Sequence, residues 1–105
     1  LKIELDNAVF FGLIINELAI NSIKHAYANV EKPTLEISIF EEDEKVVLVV
    51  MDNGTEKNID FNKTNSFGWK MVNNICDKLG GDLRVDNSDG LAISIFFSKE
   101  IIDLK

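Results

Sequence analysis

The chain holds one cysteine, one proline and one histidine in 105 residues, and each scarcity removes a class of protein. A single cysteine can build neither a disulfide framework nor a cysteine metal cluster, so a reducing, cytoplasmic setting is the simplest expectation. One proline beside 46% hydrophobic residues points to an ordered globular chain without a low-complexity linker. No uninterrupted apolar run approaches a membrane span, and no charged leader with a cleavage site opens the sequence, so this stretch is expected to make no membrane contact. Bases are also few. Eleven Lys and Arg against 18 Asp and Glu leave a net charge of -7, a field that repels phosphate backbones and argues against a nucleic-acid partner. A phosphate ligand would then be held by local features. The length suits one domain with one core. Because the chain opens on Leu1 and not on methionine, it reads as a piece of a longer protein.

In chain order, Leu1 to Leu5 alternates apolar and charged residues and reads as a short strand or the tail of one. Asp6 or Asn7 can cap a helix running from about Ala8 to about Ala28. After a polar loop, Leu35, Ile37 and Ile39 alternate with Glu36, Ser38 and Phe40, the period of a strand with one buried face. Glu42 to Glu44 makes a turn. Lys45 to Met51 (KVVLVVM) is a nearly continuous apolar strand that belongs in the middle of a sheet. Asp52 to Phe67 has few apolar residues and no period, and loops of that length tend to be functional lids or disordered. A second helix follows, with Trp69, Val72, Ile75, Cys76 and Leu79 on one face, stopped by Gly80 and Gly81. Asp82 to Asp86 and Leu91 to Phe97 are strands joined by a turn over Asn87 to Gly90. Two hairpins in one sheet and two amphipathic helices predict an α/β two-layer sandwich with the helices on one face.

Three places carry polar groups that packing alone does not ask for. On the first helix, Glu17, Asn21 and Lys24 fall four and three residues apart and stack along one stripe. Such groups beside so much hydrocarbon face a polar ligand or a buried network, or else form a solvent-exposed stripe with a helical ion pair. Asp52-Asn53-Gly54 stands where the most apolar strand ends. Asp52 can accept a hydrogen bond from an exocyclic amine, and Gly54 lets a flat ring approach the main chain, although the same tripeptide is a common turn. Ser66-Phe67-Gly68 offers free amides at the positive end of the second helix, either a phosphate cradle or a hinge.

Taken together and in order, INELAINSIKHAY, a buried strand ending in Asp52-Asn53-Gly54, a lid, SFGWKMV opening a helix that ends LGGDL, and a final Asp-Gly turn resemble the ATP-binding catalytic domain of sensor histidine kinases. That domain belongs to the GHKL superfamily, with gyrase, mismatch-repair ATPases and anti-sigma-factor kinases. The resemblance covers nearly the whole chain, so residues 1–105 are expected to form one histidine-kinase-like ATPase domain. It implies a Bergerat fold, a mixed and mostly antiparallel sheet covered on one face by helices, with ATP and Mg2+ as ligands.

By the same resemblance, Asn21 holds the magnesium against the phosphates and Glu17 is the catalytic acid of the N-box. Lys24 and His25 lie near the phosphates, Asp52 recognises the adenine amino group, and Gly54 packs beside the ring. Ser66, Phe67 and Gly68 form the glycine box at the phosphates. The implied partners are upstream dimerisation helices carrying the phosphoacceptor histidine and, through the parent protein, a response regulator. His25 sits inside the N-box and is not expected to be that acceptor. Three residues depart from the family pattern, one of them Trp69 in place of the usual leucine after the glycine box. Glu56 replaces a glycine, and Leu91 replaces a threonine whose hydroxyl helps to bind adenine through water. Glu56 and Leu91 keep open a non-catalytic module that has lost ATP, and an anti-sigma-factor serine kinase, which shares the fold, the N-box and a similar glycine box, stays open as a second alternative.

Overall fold

The computed structural model describes residues 3–25, 32–54, 67–86 and 90–98. Its elements are α1 (Leu5–His25), β1 (Leu35–Glu42), β2 (Lys45–Asp52), α2 (Phe67–Leu79), β3 (Asp82–Asp86) and β4 (Leu91–Ser98). The four strands form one antiparallel sheet in the order β1-β2-β4-β3. The α/β two-layer sandwich expected from the sequence is therefore present, with the two most apolar strands in its centre. Of the lid expected over Thr55 to Phe67, residues 55–66 lie outside the described residues and Phe67 already belongs to α2; the helix end beyond His25 and the tail after Ser98 lie outside them too.

Register decides which side chains share a face. Val46, Leu48, Val50 and Asp52 of β2 stand opposite Phe97, Ile95, Ile93 and Leu91 of β4, and all eight are buried. They pack against Phe11, Ile14 and Leu18 of α1 and Trp69, Val72, Ile75 and Cys76 of α2 in one hydrophobic core. Phe11 and Phe97 meet with ring centroids 4.9 Å apart. Neither β1 nor β3 contributes a fully buried residue to this core.

That distribution corrects the reading of β1 as half-buried. It is an edge strand, and Leu35, Ile37 and Phe40 are exposed, while Ile39 alone packs against the core. Alternation reports which residues share a face, but whether that face is covered depends on where the helices lie. The first-strand reading is also corrected. Ile3 and Glu4 are irregular and Leu5 is already helical, the Glu4 carbonyl accepting the Ala8 amide at 2.9 Å. Two and a half alternations do not outweigh an apolar run that continues with helical spacing. The helix thus begins before the caps expected at Asp6 or Asn7, and Asp6 is the acidic residue of its first turn, where it meets the positive end of the helix. α1 is less enclosed than its composition suggests. Leu5, Val9 and Leu13, each four residues on, are exposed.

The end of α2 follows from its last residues. Gly81 donates its amide to the Cys76 carbonyl at 2.7 Å and Gly80 to that of Asp77 at 3.3 Å, the paired bonds of a Schellman cap. Gly80 takes φ 67° to make them. No described helix is long and apolar enough to cross a membrane.

Two measurements probe this core. Leu18→Ala, at a site only 1% exposed, should cost about 2 to 5 kcal/mol in urea unfolding, whereas Leu5→Ala, 77% exposed, should stay within about 0.5 kcal/mol. Burial, and then the neighbouring Asp77 carboxylate, pushes the Cys76 thiol up to about 11. The folded state thus holds its proton more tightly than the unfolded chain does. The stability this gives is complete below pH 9 and should fall as pH rises from there toward 11, a loss that Cys76→Ala should remove from the pH profile of unfolding.

Candidate functional site

Asp52 closes β2 at the position where Leu35 of β1 and Leu91 of β4 flank it in register. It is the buried polar or charged residue among those described. Oδ1 accepts the Gly54 amide at 2.9 Å and the Leu91 amide at 3.2 Å. The first bond closes the local loop that aspartate favours two residues back from a donor. The second ties that loop to the neighbouring strand. Oδ2 is equally buried and has no hydrogen-bond partner among the described residues. Leaving such an oxygen unsatisfied costs about 1 to 3 kcal/mol, and more when it carries charge. Two bonds thus fix the carboxylate through one of its oxygens.

The surrounding backbone is built to hold that arrangement. Gly90 takes φ 76°, and a Cβ there would overlap the Asp52 carbonyl oxygen. Asn53 turns the other way. Its Nδ2 donates to the Lys32 carbonyl at 2.7 Å and its Oδ1 accepts the Thr34 amide at 2.9 Å, which fastens the entry to β1 beside the end of β2. Neither the Leu91 amide nor the Asn53 clamp was legible as a site feature. The only signal for Asn53 is the readiness of asparagine to bond nearby backbone, and the role of Leu91 needs the β2–β4 register.

A second group forms between the helices. Glu17 and Asn21, one turn apart on α1, are both half-buried. The Glu17 carboxylate lies against Gly68 in the first turn of α2, so closely that a Cβ at position 68 would overlap it. The structure therefore joins Glu17 to Gly68, and Asp52 to Gly54 and Leu91. Lys24 and His25 belong to the last turn of α1 and Phe67 opens α2, but their side chains, like all of Ser66, are outside the described residues. Trp69 is 6% exposed and part of the core.

The chemistry of these donors suits the two groups expected from the sequence. An amine donor fits the orphaned oxygen of Asp52. The Asn21 amide and Glu17 carboxylate are hard oxygen donors. Among the described residues no cluster of three or more His, Cys, Asp or Glu could hold a metal ion by itself.

Fold and site together define a small α/β sandwich with a buried carboxylate at the end of a central strand. The sequence profile of the histidine kinase-, DNA gyrase B- and HSP90-like ATPases matches residues 6–101, and the chain belongs to that family. Among solved structures it resembles the histidine kinase domain of the Erythrobacter litoralis EL346 blue-light activated histidine kinase, with a TM-score of 0.75 and 20% identity over 89% of this chain and 46% of that one. The Acinetobacter baumannii histidine kinase AdeS gives 0.67 and 20% over 86% and 46%. The catalytic domain of histidine kinase ThkA gives 0.68 and 20% over 87% and 67%. At such identity the likeness is one of fold, and the chain spans less than half the length of the first two structures. No curated protein matches it by sequence.

The two glycines should respond differently to alanine. At Gly90 a methyl meets backbone that has nowhere to go, and the positive φ adds about 1 to 2 kcal/mol of strain, so Gly90→Ala should lower the unfolding free energy by about 2 kcal/mol or more. At Gly68 it meets the mobile end of a side chain, and Gly68→Ala should cost under about 1 kcal/mol. Thermal denaturation of both variants compares them directly.

Proposed function

We propose that this domain binds ATP with magnesium and serves as the catalytic domain of a cytoplasmic sensor histidine kinase segment. It would pass the γ-phosphoryl group to a histidine on an upstream dimerisation helix, from which a response regulator takes it. The observation that carries this reading is the unpartnered, buried Oδ2 of Asp52. A fixed carboxylate oxygen that only accepts is complementary to the 6-amino group of adenine and repels the 6-oxo group of guanine. Native proteins leave few buried polar atoms without a partner, and a bound adenine would supply one for this oxygen. Leu91, which lacks the hydroxyl usual in the family, still supports the site through its main-chain amide.

The other roles rest on the family resemblance together with these positions. Gly54 packs beside the base. Ser66, Phe67 and Gly68 present the start of α2 to the phosphates, with Lys24 and His25 near them. Asn21 supplies an oxygen donor for magnesium, which when bound neutralises phosphate charge, and Glu17 is the catalytic acid of the N-box. Phosphoryl transfer in such a domain depends on positioning and charge stabilisation.

Calorimetric titration with ATP, ADP and GTP, in magnesium and in chelator, separates the base site from the metal site. Asp52→Ala should weaken ATP and ADP alike by about 1.5 to 3 kcal/mol, roughly ten- to 150-fold, with or without magnesium. Asn21→Ala should weaken binding mainly when magnesium is present. Circular dichroism should show both variants folded. Unchanged preference for adenine over guanine in Asp52→Ala would overturn the assignment. The isolated domain should bind ATP without phosphorylating itself, and phosphohistidine on this fragment alone would contradict the placement of the acceptor upstream.

A further inference from the structure

We propose that Glu17 acts as an internal competitor for the phosphate chain, holding with its own carboxylate the place at the start of α2 that a nucleotide must win. The inference rests on the nucleotide reading above and concerns how that site is regulated.

Three observations meet at this point. The first turn of α2 contains no acidic residue, so its positive end has no anion of its own. Glu17, from the other helix, brings a carboxylate against Gly68 in that turn, and Oε2 stands where the Cβ of any other residue would be. That approach is possible only because position 68 is glycine. Glu17 also makes no hydrogen bond or ion pair with the described residues, and it is only half-buried. Among the described residues only the field of the helix and shape hold it, and it can swing away without breaking a bond to them.

Consequences follow for the order of affinities. A phosphate group and the Glu17 carboxylate cannot share the space over Gly68, and at contact distance their like charges repel. Each nucleotide must displace the side chain or draw in a cation between the two anions. The base contributes nothing to this contest, because Asp52 lies at the end of β2. Glu17 should then penalise ligands in proportion to the phosphate they carry and leave adenosine untouched.

The test uses the domain with chelator throughout, so that no metal bridges the two anions. Wild type, Glu17→Gln and Glu17→Ala are titrated with adenosine, ADP and ATP, with circular dichroism to confirm folding. Both variants should bind adenosine as wild type does, ADP more tightly, and ATP more tightly still, by about tenfold, the scale of one unit charge removed from beside a phosphate at a site that solvent reaches. Rising ionic strength should shrink the difference. Weaker or unchanged ATP binding in both variants, with adenosine binding intact, would overturn the competitor role alone. Failure of adenosine and ATP to bind any of the three proteins would overturn the nucleotide reading, and this inference with it.

Discussion

A carboxylate buried at the end of a central strand, with one oxygen satisfied and one not, is the constraint on which the rest of this site depends. A charged group in a hydrocarbon setting survives only where fixed donors meet it. Here the donors are two main-chain amides, one from the loop that Asp52 itself opens and one from β4. The β4 amide is in reach because β2 and β4 are neighbours with Asp52 opposite Leu91, and that register is held by the apolar ladder running from Val46 and Phe97 to Val50 and Ile93. The core therefore does more than hold the sheet together. It sets the position of an acceptor to within hydrogen-bond tolerance, as preorganised binding requires.

The opposite end of the site is built on different physics. Between α1 and α2 the Glu17 side chain lies against a glycine, with no hydrogen bond or ion pair of Glu17 among the described residues, and the positive end of α2 faces its carboxylate. A fixed acceptor at Asp52 and an adaptable contact at Gly68 would suit the proposed nucleotide, whose base is a flat body of fixed hydrogen-bond pattern and whose phosphates are flexible and charged.

Much of this was readable in the sequence, for reasons that differ between elements. KVVLVVM is apolar at every position, and a strand of that kind can only lie inside a sheet, where β2 is found. The pattern of α2 and its two terminal glycines defined both its buried face and its end. Its Trp69, Val72, Ile75 and Cys76 all lie in the core. Leu1 to Leu5 misled, because so short an alternation carries no more weight than the helix that overtakes it at Leu5. β1 misled in another way. Its period is that of a strand, but the two helices cover β2 and β4, and Ile37 is left exposed. Asp52 was visible as a candidate from its place at the end of an apolar run, whereas its second anchor at Leu91 was not, since strand register is a tertiary fact. The contact of Glu17 with Gly68 was hidden for the same reason, as nothing in either motif says which residue of the other helix it will meet.

The central claim is that the free oxygen of Asp52 reads the 6-amino group of adenine, and Asp52→Asn tests it most directly. The variant keeps an oxygen for the Gly54 and Leu91 amides and replaces the unpartnered acceptor with an NH2 donor of nearly the same shape. Titrating wild type and variant with ATP and with its 6-oxo analogue, inosine triphosphate, should give opposite orders: ATP tighter in the wild type, the 6-oxo nucleotide tighter in the variant. If both proteins bind the two nucleotides in the same order, Asp52 does not read the base.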